Sequence, residues 1–167
     1  MTEKKYKDIK AFFERNSLLY KLLNILYNFL PAVVFASYIV FLAISLFTYT
    51  ITSITFIKIT LVPFFTFLIV SVFRKIFNAQ RPYEKYDISP LIAKDKKGQS
   101  FPSRHVASGF IIAMAFLSVN VTMGIVFLII SVIIAITRVL AGVHFIKDVI
   151  VGAMFSLLVG LIFFIFL

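Results

Sequence analysis

Between residues 29 and 167 the chain runs through a series of apolar stretches, each close to the roughly 20 residues that a helix needs to cross a bilayer. They fall at about 29–48, 53–73, 103–121, 123–141 and 146–167. A polar loop, 74–101, separates the second from the third, whereas the turns 49–53 and 120–124 are short and uncharged. At 61% apolar residues in a chain of 167, an ordinary soluble domain is excluded, and one membrane domain is expected. Residues 1–28 differ. Their lysines alternate with Tyr6, Ile9, Phe12, Phe13, Leu19 and Leu22, the pattern of an amphipathic segment lying in the membrane interface. The expected fold is therefore all-α. It is a polytopic membrane helical bundle of about five transmembrane helices over 29–167, preceded by an interfacial amphipathic helix within 1–28.

Charge is distributed as unevenly as hydropathy. Of 17 lysines and arginines, six lie in residues 1–21 and eight in 74–104, with Arg138 and Lys147 beyond. Five spans bring all of these regions to one membrane face. Only Lys58 lies near the opposite face, where its long stem can snorkel outward. In such a chain a net charge of +10 fits an anionic lipid surface and an anionic substrate, and nucleic acid is not an expected partner. The absence of cysteine excludes disulfides, thiolate catalysis and thiolate metal sites. No removable signal peptide is expected, because the first apolar run far exceeds a signal core of roughly 7–15 residues.

Three short motifs interrupt this composition between Arg74 and Asp148, and both histidines of the chain fall within them. The first runs from Arg74 and Lys75 to Arg81-Pro82. Arginine matches phosphate oxygens bidentately and lysine supplies a point charge. The second is Pro102-Ser103-Arg104-His105. Pro102 suits the first turn of a helix, Ser100 is a candidate cap, and the free N–H groups of a helix start favour an anion. The third is Thr137-Arg138, five residues, His144, three residues, Asp148. Four apart on a helix, His144 and Asp148 share a face, so the carboxylate can hold one ring N–H and leave the other nitrogen free as a nucleophile or base. Each cluster alone also has an ordinary structural reading: basic anchors at a span end, a capped helix start, a helix-entry His-Asp pair. Together they provide a nucleophilic imidazole, a second imidazole as acid, and fixed positive charge for a phosphoryl group. Metal binding is the weaker reading, since arginines would crowd the cation, and no cofactor or metal is expected.

The three motifs resemble those of the type 2 phosphatidic acid phosphatase family, membrane lipid phosphatases related to vanadium haloperoxidases. The family pattern is Lys, six residues, Arg-Pro; then Pro-Ser-Gly-His; then Ser-Arg, five residues, His, three residues, Asp. By this resemblance His144 forms a phosphohistidine, Asp148 orients it, His105 is the general acid, and Arg81, Ser103 and Arg138 hold the phosphate. Arg74 stands at the family's lysine position, with Lys75 one residue off, and either is a candidate for that charge. Arg104 replaces the family glycine and Thr137 the serine. No catalytic group is lost, so the resemblance implies an active enzyme acting on a lipid phosphate monoester or diphosphate, such as phosphatidic acid, phosphatidylglycerol phosphate or undecaprenyl diphosphate. A phosphotransferase passing the group to another lipid, and a non-catalytic anion-binding or transport protein, are the competing expectations. Lys85, Lys94, Lys96 and Lys97 make the loop 83–101 either a headgroup collar or a solvated basic loop. The motif-bearing face is cytoplasmic by charge bias, whereas the resemblance places it outside.

Overall fold

The computed structural model describes residues 2–86, 88–94 and 96–167. Among these no strand occurs. The elements are α1 (Glu3–Arg15), α2 (Ser17–Thr48), α3 (Ile54–Phe77), α4 (Pro82–Lys85), α5 (Arg104–Val119), α6 (Val121–Leu140) and α7 (Ile146–Gly160), the last continuing as a π-helical turn over Leu161–Phe166. The chain is thus an all-helical polytopic bundle. Four of its helical segments are long and apolar enough to cross a membrane: α2, the α3 segment, α6, and α7 with its π-helical extension. The outer faces carry Phe35, Phe47, Phe64, Ile129 and Phe166, an exposed apolar surface that needs lipid around it.

A fifth apolar helix, α5, is shorter, and it sits at the centre of the bundle. An uninterrupted run from Gly109 to Phe116 is buried, because neighbouring helices cover every side of it. Small residues let those helices approach. Gly109 lies against Ser131 of α6 and Gly160 against Met114. Phe116 stacks on Phe127 at 4.2 Å. Polar side chains bond backbone across the helices: Ser156 Oγ to the Ala107 carbonyl and Tyr38 OH to the Ile59 carbonyl, both at 2.8 Å.

Two boundaries differ from the sequence expectation. No helix end occurs near residue 28: α2 runs unbroken for 32 residues, about 48 Å, starting after Asn16. Nothing between Ser17 and Leu30 breaks a helix, so the more polar first turns simply continue the apolar ones. Likewise α3 includes Arg74 and Lys75 in its last turn, where the helix dipole favours cations, and it stops at Asn78 in the left-handed conformation. Alternating helix directions bring the end of α3, the start of α5, the end of α6 and the start of α7 to one end of the bundle. There α1, α4 and the loop before α5 cover them.

Candidate active site

At this end lies a cavity of about 100 Å³ lined by Tyr27, Arg74, Arg81, Lys94, Lys96, Arg104, His105, Arg138, Val143 and His144. Six of these side chains are cationic, and none is a carboxylate. The arginines are held in place mainly by backbone oxygen. Arg74 Nη1 donates to the Pro102 carbonyl at 2.7 Å. Arg81 Nε donates to the Gly98 carbonyl at 3.0 Å and Nη1 to that of Val143 at 3.3 Å. Arg138 Nη2 donates to the Tyr27 carbonyl at 3.1 Å, with the guanidinium 3.8 Å from the Tyr27 ring centre. Arg104 rests on the Phe67 ring at 5.0 Å. Carbonyls orient these cations without neutralising them, so the positive potential stays directed into the cavity. Burial and the neighbouring Arg104, Arg74, Arg81 and Lys94 all hold the Lys96 ammonium below its ordinary range.

His144 sits in the link between α6 and α7. Gly142, at φ 73°, makes the turn that a side chain would strain, and the N–H groups of Val143 and His144 both reach the Arg138 carbonyl at 3.3 Å. The ring is 2% exposed. Its Nδ1 lies 3.5 Å from Asp148 Oδ2 and 3.4 Å from Ser100 Oγ, which leaves Nε2 to face the cavity. Asp148 Oδ2 also accepts from Ser100 Oγ at 2.5 Å and from the Phe145 N–H at 3.0 Å. Burial drives the His144 pKa down to about 4; Arg81 and Arg74 push the same way, against the Asp148 carboxylate that accepts from the ring. The imidazole is therefore neutral at physiological pH.

The structure brings His105, His144, Arg74, Arg81, Arg104 and Arg138 around one cavity, with Asp148 directly behind His144. Ser103 is fully buried beside them at the start of α5, its N–H bonded to the Asp148 carbonyl and its Oγ without a partner. Lys75 is not brought in: one residue past Arg74 on the helix, it points outward and is exposed. Of the loop lysines, Lys94 and Lys96 reach the cavity, while Lys85 and Lys97 do not. Ser100 is not a helix cap. Its N–H bonds the Ala79 carbonyl and its hydroxyl turns to Asp148, while Ser103 occupies the N-cap position. Sequence reasoning also missed Tyr27, and it gave Tyr6 only an amphipathic role. Tyr6 is 3% exposed and donates to the His144 carbonyl at 3.2 Å. Among the described residues no three His, Asp or Glu side chains group as metal ligands do.

His105 and Arg104 also line a second, mainly apolar cavity of about 310 Å³, with Pro31, Phe35, Phe67 and Ile112. The polar cavity thus borders an apolar groove between α2, α3 and α5.

The model of the PAP2 superfamily matches residues 38–167. Among solved structures the chain is similar to LpxE from Aquifex aeolicus, with 25% identity and a TM-score of 0.66 over 89% of this chain and 93% of that one. It is also similar to a PAP2-type phosphatidylglycerolphosphate phosphatase from Bacillus subtilis, with 21% identity and a TM-score of 0.59 over 95% and 90% of the two chains. No curated protein sequence matches. The chain belongs to the PAP2 superfamily.

Proposed function

We propose that this member of the PAP2 superfamily is a membrane lipid phosphatase that works through a phosphohistidine and without a metal. The observation that carries the reading is the cavity itself: six cations and two imidazoles, no carboxylate in the lining, bordering an apolar groove. An oxyanion with a hydrocarbon tail satisfies both parts.

In this reading the phosphoryl group sits among Arg74, Arg81, Arg138 and Ser103. Neutral His144, oriented through Nδ1 by Asp148, attacks phosphorus with Nε2 as the P–O bond to the lipid breaks. His105 gives its proton to the departing oxygen. The arginines balance charge on the equatorial oxygens, the largest contribution expected of a preorganised site. Water, giving its proton to His105, then attacks the phosphohistidine, releasing inorganic phosphate and restoring neutral His144. Arg104 and His105 line both cavities, so they would hold the junction of headgroup and chain. The substrate class is a lipid phosphate monoester or diphosphate, with phosphatidic acid, phosphatidylglycerol phosphate and undecaprenyl diphosphate as the compounds to compare.

The test is phosphate release from these three lipids by the detergent-purified protein in EDTA, beside His144→Ala. Release that survives EDTA and vanishes in the variant is the expected result. Release that persists in His144→Ala would remove the phosphohistidine, and release abolished by EDTA would remove metal independence.

A further inference from the structure

Tyr27 lies outside the part of the chain that matches the family, which begins at residue 38, yet it lines the polar cavity and is 2% exposed. Its contacts with Arg138 take up the carbonyl and the ring face, and leave the phenol hydroxyl buried with no hydrogen-bond partner. Arg138 Nε is left in the same state. Two buried polar groups without a hydrogen bond, on two side chains in mutual contact at one cavity, are costly, since buried polar groups are nearly always paired. A phosphate oxygen is an acceptor that can serve both.

We infer that Tyr27 is a substrate-contacting residue of the phosphate site: its ring and carbonyl fix the plane of the Arg138 guanidinium, and its hydroxyl donates to an oxygen of the bound phosphoryl group. The inference rests on the lipid phosphatase reading. It assigns part of the catalytic end to the N-terminal half of α2. Lys94, 5.8 Å from the same ring, closes the other side of this corner.

The experiment compares full-length wild type, Tyr27→Phe, Tyr27→Leu and Tyr38→Phe in detergent. Hydrolysis of phosphatidic acid is read with inorganic phosphate and orthovanadate as inhibitors, together with calorimetric titration of orthovanadate. Tyr27→Phe keeps the ring and removes only the hydroxyl. Loss of one hydrogen bond to a charged group predicts at least about a tenfold weaker affinity for both anions, and a similar fall in kcat/KM. Tyr27→Leu, which also frees Arg138, should lose more. Tyr38→Phe removes another buried hydroxyl, on the Ile59 carbonyl, and is expected to lower thermal stability without changing anion affinity. Wild-type values for Tyr27→Phe on an active wild-type background would overturn the inference and leave the phosphatase reading intact; the hydroxyl would then serve water alone. A wild type that neither binds orthovanadate nor hydrolyses any lipid phosphate would overturn the phosphatase reading, and the inference with it.

Discussion

His144 depends on what its far nitrogen meets. Asp148 Oδ2 takes hydrogen bonds from Ser100 and Phe145 and lies within reach of His144 Nδ1, so the carboxylate is fixed before substrate arrives. Ser100→Ala removes the shortest of these. The expected outcome is a fall in kcat of about tenfold with little change in KM, because the carboxylate is left less firmly held and the phosphate cradle is untouched. Asp148→Asn should cost more, about 10²–10⁴-fold in kcat, since the amide could not stabilise the charge that His144 would acquire in the proposed attack. Steady-state kinetics on the best lipid would check both. The depressed pKa of His144 also links folding to pH. Above about pH 6.5 the imidazole is neutral in folded and unfolded chains alike. As pH falls from there to about 4, the unfolded chain binds a proton that the folded site does not, so stability drops, by at most about 3 kcal/mol. Thermal unfolding across this range should show a steeper acid loss for wild type than for His144→Ala, and equal slopes would refute the linkage.

Helices place these side chains by close contact, and the one that sets the start of α5 is made by α7. A Cβ on Gly152 would stand 2.8 Å from the Ser103 carbonyl oxygen, which is backbone and has little freedom to yield. Gly152→Ala should therefore displace the start of α5, destabilising the protein by about 1–3 kcal/mol and lowering kcat/KM, while an alanine at exposed Val151 should do neither. Thermal unfolding and lipid turnover measured side by side would separate the two effects. At the opposite side of the site, α1 holds the His144 carbonyl through Tyr6, whose ring packs on Tyr86 and Phe145. These contacts explain which parts could be read from the sequence. Arg81, His105, Arg138, His144 and Asp148 lie at fixed spacings within short motifs, so one-dimensional periodicity carries their arrangement. Arg138 to Tyr27 and His144 to Tyr6 are bonds across 111 and 138 residues. No local pattern encodes such a pairing, and a buried tyrosine in an apolar run looks like any other core residue. Ser100, a polar residue just before a helix, has the local pattern of a cap, and its actual partner is 48 residues away. Apolar run length located the four helices long enough to cross and the shorter α5, whereas it could not find where α2 begins, because amphipathic and apolar turns join without a breaker.

On the scale of the whole molecule, one end is basic and the rest is greasy, and this asymmetry bears on more than catalysis. The bundle end that carries the cavity also carries α1, with Lys4, Lys5, Lys7 and Lys10, and the loop with Lys94, Lys96 and Lys97. Of these seven, only Lys94 and Lys96 line the cavity. A phosphate site alone explains its own arginines but not a lysine-rich periphery. Orientation by positive charge would, and it would put this end on the cytoplasmic side, where anionic lipid adds about 1 kcal/mol of attraction per basic residue near the surface. Because the chain has no cysteine, a single introduced thiol reports the side without background. Lys97 is exposed and lies outside the cavity lining, so Lys97→Cys should leave turnover intact. With the site facing the cytoplasm, an impermeant maleimide added to intact cells should leave this thiol unlabelled, and label it after the membrane is opened. Labelling in intact cells would place the site outside. The lysines would then have to act on the outer leaflet, gathering anionic lipid phosphates toward the cavity against the usual charge bias of membrane insertion.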